Sequence, residues 1–204
     1  MFLRRALAAG LIVVSSAATA ACGDSGGDDD VHGDPTFATT TTSAPTTAAA
    51  TSTTGTATLF EVSSPAFSDG DPIPVEYTCD GDNARPVLSW SGPPDHETIA
   101  VVVDDPDAPG GSFIHWIAWG FSGQDGTIAA GELSAGVTEA PTSIGQPGWI
   151  GPCPPFGVHR YVFHFYALRA TPEVGDDPAA TWEAIRAVSL QEATLTGTYE
   201  RPTG

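Results

Sequence analysis

The run TIAVVVDD, from Thr98 to Asp105, decides how this chain folds. Ile99 to Val103 are apolar at odd and even positions alike, where a half-solvated strand would alternate. The run therefore reads as a central strand covered on both faces. C-terminal to it, the turn PDAPGG leads into SFIHWIAWGF (112–121), and a second doubly apolar run follows at Tyr161–Leu168 within RYVFHFYALR. N-terminal to it, TLFEVSS (58–64), PIPVEYTC (72–79) and PVLSWS (86–91) are β-branched or aromatic runs separated by SDGDP, CDGDN and SGPPD, which are turn signals. Helical spacing is confined to Pro178–Ser189, with Pro178 and Thr181 near its start and Trp182, Ile185 and Val188 in register. Thr194–Arg201 reads as a final strand or loop. The expected fold is mostly β, a β-sandwich-like domain with one or two small helices.

The domain occupies only part of the 204 residues. Met1 to Ala21, MFLRRALAAGLIVVSSAATAA, sets two arginines before an apolar run that ends in small residues, the layout of a secretory signal and too short for a stable membrane span. Cys22 follows, and a cysteine at that junction resembles the lipobox of bacterial lipoproteins, although Thr19 stands where that motif usually has leucine. The expectation is a lipid on Cys22; the alternative is cleavage after Ala20 and a soluble secreted product. Residues 22–58 are acidic, then rich in Thr, Ala, Ser and Pro, with too few large apolar residues to offset the entropy of ordering. They read as a tether spanning roughly 30–35 Å on average. Residues 59–204 form the folded domain.

Charge excludes several classes of function. The net charge is −18 and every basic residue is an arginine, five of them in the domain. A surface this acidic argues against nucleic acid and against electrostatic docking on anionic lipid. Membrane attachment would come from acylation at Cys22, as part of a multiple anchor. With Cys22 lipidated, Cys79 and Cys153 remain in an oxidising setting, where one disulfide is expected; two reduced, buried thiols are the alternative.

The chemistry-bearing residues gather in two segments, DDPDAPGGSFIHW (104–116) and GPCPPFGVHRY (151–161). Each joins a stiff Pro/Gly loop to a histidine in an apolar strand. Proline holds its predecessor extended, so Asp105 and Asp107 should be rigidly aimed. A carboxylate beside an imidazole fixes one ring nitrogen as a donor and favours the protonated form, which would let His115 and His159 present N–H groups to an oxyanion. Backbone amides near Gly110, Gly111 and Gly151 could add donors, and Tyr161 a hydroxyl at the rim.

The strings DPDAP with His115-Trp116, and GPCPP with Gly157 and His159-Arg160-Tyr161, resemble the two signatures of the phosphatidylethanolamine-binding protein family. YTCDGDNARPVLSWSG (77–92) resembles the opening of its bacterial, Raf-kinase-inhibitor-like branch. The resemblance covers nearly all of residues 59–204. It implies a β-sandwich with a small anion-accepting pocket and no metal or other cofactor. The ligand positions it implies are Asp105, Asp107, His115, Gly151, Pro152, His159 and Tyr161. Trp149 stands where the family would have a tyrosine, and the C-terminal helix that gates the pocket in eukaryotic members has no match.

Competing roles follow from the same residues. Asp107 could instead stabilise its loop. Arg160 alternates away from His159 and is expected to pair with a carboxylate. His164, Trp90, Trp116 and Trp119 read as core or surface residues. Two Asp and two His suit a divalent metal, yet no short HxxxH or CxxC spacing supports a metal-dependent hydrolase, and no serine sits in a nucleophile elbow. The expectation is a non-enzymatic, exported binding protein on the outer face of the cell membrane, with a phosphate, phospholipid headgroup or carboxylate as ligand. A protein-interaction or protease-inhibitor role in the envelope is the alternative.

Overall fold

The computed structural model describes residues 59–202. The expected signal peptide, tether and lipidated Cys22 lie outside them. Eight strands form two antiparallel sheets. The smaller sheet joins β1 (Glu61–Ser63), β2 (Leu88–Ser91) and β5 (Gly126–Ile128) in the order β1-β2-β5. The larger contains β3 (Thr98–Asp105), β4 (Phe113–Phe121), β6 (Thr138–Glu139), β7 (Val158–Leu168) and β8 (Ser189–Glu200), ordered β6-β4-β3-β7-β8.

The two doubly apolar runs are interior strands, as their composition requires, because each face of the large sheet packs on a separate core. Val101, Val103, Trp116, Phe163 and Phe165 meet Leu88, Trp90 and Ile128 of the small sheet. On the opposite face Ala100, Val102, Ile117, Tyr166 and Leu168 pack under α1 (Pro178–Ala187) through Trp182 and Ile185. Asp177 caps that helix, its side chain accepting from the Ala180 amide at 2.7 Å, and Pro178 occupies the first turn. Trp90, Trp116 and Trp119 are all buried.

One sequence expectation needs correction, and one left open is decided. PIPVEYTC is not a strand: Val75–Tyr77 form a 3-10 turn. Pro72 and Pro74 cannot donate to a ladder, so only an isolated bridge between Pro72 and Thr198 remains. The C-terminal segment is a twelve-residue strand, β8, paired along its whole length with β7. Its N-terminal half is polar because it lies at the sheet edge, which hid it from an apolar pattern.

Candidate functional site

The site lies where β3, β4 and β7 end beside the 150–157 loop, and a register change aims its first histidine. Pairing passes from Val103 opposite Trp116 to Asp104 opposite Ile114, leaving His115 as the extra residue of a β-bulge. Such an insertion re-aims a side chain. His115 lines a cavity of about 260 Å³ together with Asp105, Pro109, Phe113, Ile150 and Pro155.

Alternation along β3 sends Asp105 to this side and Asp104 to the other. Asp105 Oδ2 meets His159 Nδ1 at 2.7 Å, and its Oδ1 accepts from the Asp107 amide at 2.9 Å. Both Asp105 and His159 are buried. With Nδ1 of His159 donating to the carboxylate, Nε2 has no partner among the described residues. His115 is held differently from the expectation. Its Nδ1 donates to the Ile150 carbonyl at 2.7 Å, not to a carboxylate. Burial pushes its pKa below the ordinary imidazole value, against the pull of that carbonyl and of Asp105. The neutral ring therefore keeps its proton on Nδ1, and Nε2 is an acceptor.

Tyr161 is not at the rim. It is 1% exposed, its ring packed edge-on to His115 with centroids 5.2 Å apart, and its hydroxyl lies near the Cys153 backbone and the Asp105 carboxylate without a well-formed hydrogen bond to either. Burial first, and the nearby Asp105 charge second, raise its pKa. A buried hydroxyl left unpaired costs about 1–3 kcal/mol, so its retention marks it as a candidate ligand group.

Asp107 turns away from this group. Both its oxygens go to Arg160: Oδ2 accepts from Nε at 2.8 Å and from the backbone amide at 2.9 Å, and Oδ1 accepts from Nη2 at 2.7 Å. The guanidinium holds the Asp107 carboxyl down at about 2. The carboxylate expected to pair with Arg160 is thus one that the family pattern places among the ligand positions.

Gly151 and Pro152 shape the loop. The Gly151 amide donates to Asn83 Oδ1 at 2.7 Å, so it is spent within the protein, as is the Gly111 amide on the Ala108 carbonyl. A Cβ at Gly151 would collide with Asn83 Oδ1 and lie 2.6 Å from the Tyr77 carbonyl oxygen. The Pro152 carbonyl accepts from the Cys79 amide at 3.0 Å. The Cys79–Cys153 disulfide lies beside this bond, with Cα atoms 5.4 Å apart. Trp149 faces another part of the molecule, packing against Trp116 and Phe163.

Sequence reasoning missed a polar chain on the opposite face. His164 stands between Asp104 (Nε2 to Oδ1, 3.0 Å) and Glu192 (Nδ1 to Oε1, 2.6 Å), while Ser112 donates to the other Asp104 oxygen. The doublet Asp104-Asp105 in a strand was the available signal, since adjacent strand residues face opposite sides. The chain anchors Ser112, at the base of the loop whose Ala108 and Pro109 line the cavity.

Residues 63–200 match the family model described as "Phosphatidylethanolamine-binding protein". The UPF0098 protein Rv1910c of Mycobacterium tuberculosis is 44% identical over 152 residues, covering 72% of this chain and 73% of that protein. A second protein of that organism, named "Putative lipoprotein LppC", is 43% identical over 145 residues, covering 68% and 71%. The crystal structure of Escherichia coli YbcL, titled a new member of the mammalian PEBP family, superposes with a TM-score of 0.65 at 28% identity, covering 70% of this chain and 99% of that one. The homolog CT736 from Chlamydia trachomatis gives 0.64 at 34% identity, with 70% and 98% covered.

Proposed function

This chain belongs to the phosphatidylethanolamine-binding protein family, and on that premise we propose that it is an exported binding protein whose pocket holds a small anionic group. The group is a phosphate, a phospholipid headgroup or a carboxylate. One observation carries this reading: His115 lines the cavity with Asp105, which holds His159, the Tyr161 ring packs edge-on to His115, and both imidazoles keep Nε2 without a partner among the described residues. His159, its Nδ1–H held by Asp105, donates Nε2–H to the oxyanion in its doubly protonated form, and Tyr161 donates alongside. His115 accepts, so the ligand that suits the set best carries one O–H or N–H of its own, as a singly protonated phosphate does.

Binding without turnover fits the surroundings. The sulfur beside the cavity is in a disulfide and cannot act as a nucleophile. Among the described residues no three His, Cys, Asp or Glu side chains are grouped so as to hold a metal ion. Attachment to the outer face of the membrane through a lipid on Cys22 follows from the leader layout and is supported by the lipoprotein name of one relative. No described helix is long and apolar enough to cross a membrane.

Millimolar phosphorylethanolamine or inorganic phosphate should shift the ring signals of His115 and His159 in NMR spectra. Silence of both rings towards both compounds would overturn the reading. Mass spectrometry of the mature N-terminus tests the anchor separately, by a diacylglyceryl group on Cys22. A second reading, an envelope protein or protease as partner, is favoured by Phe156 and Val158, 70% and 59% exposed on the segment after Pro155. Partner capture that survives the His115→Ala/His159→Ala double substitution would support it.

A further inference from the structure

A second and larger cavity, about 500 Å³, opens among the loop before β2, the segment after β5, β6 and the loop before Gly151. Asn83, Arg85, Glu132, Leu133, Glu139 and Trp149 are among its lining residues. Its composition is unusual for a structural crevice because its cation is unpaired. Arg160, Arg186 and Arg201 each sit in a surface ion pair. Arg85 is only 7% exposed and has no ion pair among the described residues.

Arg85 spends Nη2 on the carbonyls of Ala129 and Gly131, at 2.9 and 2.8 Å, and its guanidinium lies 4.8 Å over the Trp116 ring. Nε is buried without a partner, and Nη1 has none either among the described residues. The indole N–H of Trp149 is a second buried donor without a partner. Burial pushes the Arg85 pKa down while the charge of Glu139 pulls it back up. Glu139 commits Oε1 to the Trp116 indole at 2.6 Å, and Oε2 stays uncommitted. A buried charge and buried donors are normally satisfied, and each one left over costs on the order of 1–3 kcal/mol.

The ligand must answer both signs. A bare anion would suit Arg85 and Trp149 but would face Glu139 and Glu132, and a bare cation would meet the guanidinium. We propose that this cavity is a second ligand site, taking a small zwitterion of the amino-acid class. Its carboxylate bonds Arg85 and the Trp149 indole, and its ammonium meets Glu139 with Glu132 at the mouth. The carboxylate engages Nη1 first, and small rotations of the two side chains then turn Nε and the indole N–H to it. Leu133 and Ala84 offer apolar wall for a side chain. The site shares no lining residue with the first pocket, and Asn83, which lines it, also accepts the amide of Gly151, next to Ile150 of that pocket.

The full chain, labelled with nitrogen-15, tests this. It is titrated with an equimolar pool of the proteinogenic L-amino acids, with acetate, and with ethylammonium, each in the presence of saturating phosphorylethanolamine. The pool should move the Trp149 indole signal saturably at millimolar concentration. Acetate and ethylammonium should each act at least about tenfold more weakly, roughly 1.4 kcal/mol. By calorimetry, Trp149→Phe should weaken pool binding at least about tenfold while leaving the fold intact, because it keeps the packing and removes the donor. Arg85→Lys should do the same, and where it fails to fold, Trp149→Phe carries the test. No movement with the pool, acetate acting as strongly as the pool, or unchanged binding by Trp149→Phe would each overturn the proposal.

Discussion

His115 and Ile150 hold each other by two hydrogen bonds running in opposite directions. The ring Nδ1 donates to the Ile150 carbonyl at 2.7 Å, and the Ile150 amide donates to the His115 carbonyl at 3.1 Å. The bulge supplies the freedom for this pairing, and the pairing fixes which ring nitrogen faces the cavity. It also sets a pH dependence. Burial holds the folded His115 below the ordinary value of 6.5, so on acidification the unfolded chain takes up its proton first. The contribution of the neutral ring is complete above that value and declines as pH falls through it, until the folded ring also protonates. NMR titration of the ring should give a midpoint below 6.5, with denaturation midpoints falling in the same direction. A midpoint above it would refute the burial argument.

Tyr161→Phe should separate stability from binding. Removing a buried hydroxyl that has no partner relieves a desolvation cost, so stability should be unchanged or higher by up to about 1 kcal/mol. Phosphate or phosphorylethanolamine affinity should fall about tenfold if the hydroxyl serves the ligand. Paired urea denaturation and ligand titration read the two effects.

The disulfide should matter to both. It joins residues 74 positions apart, which corresponds to about 4 kcal/mol in the chain-entropy description. Cys79→Ser with Cys153→Ser should lower stability by roughly 2–5 kcal/mol and weaken ligand binding, because Cys153 lines the cavity. Denaturation of the wild-type chain with and without reductant should show the same loss, and the double variant should be indifferent to reductant.

Gly151→Ala should displace the loop. The new methyl meets Asn83 Oδ1 and the Tyr77 carbonyl, a side chain already bonded and a backbone group, neither free to retreat. A destabilisation of about 1–3 kcal/mol is expected, visible as a lowered thermal midpoint. Perturbed His115 ring signals should accompany it, since Ile150 is the adjacent residue.

Asp107→Ala should do little by comparison. The Asp107–Arg160 pair is partly exposed, with side chains 32% and 58% accessible, so solvent screening leaves it a small contribution to stability. Arg160 holds the folded carboxyl at about 2, so its stabilisation is present at neutral pH and is lost only as pH falls from 3.8 through that value. Ligand affinity should stay within about threefold of wild type. A larger loss would restore Asp107 to the pocket.

Local pattern was enough for part of the molecule. TIAVVVDD and RYVFHFYALR could only be interior strands, since apolar side chains on both faces need cover on both. Pro178, with helical spacing behind it, could only open a helix. The two Pro/Gly signatures named the family to which the chain belongs. What tertiary structure alone decided is the direction of each group. The bulge that swings His115 inward depends on pairing with β3, and pairing across strands leaves no mark in a local window. The choice of Arg160 over the pocket for Asp107 rests on residues 53 positions apart. The unpaired guanidinium of Arg85 is legible only where distant segments close around it, because burial belongs to the fold and not to the residue.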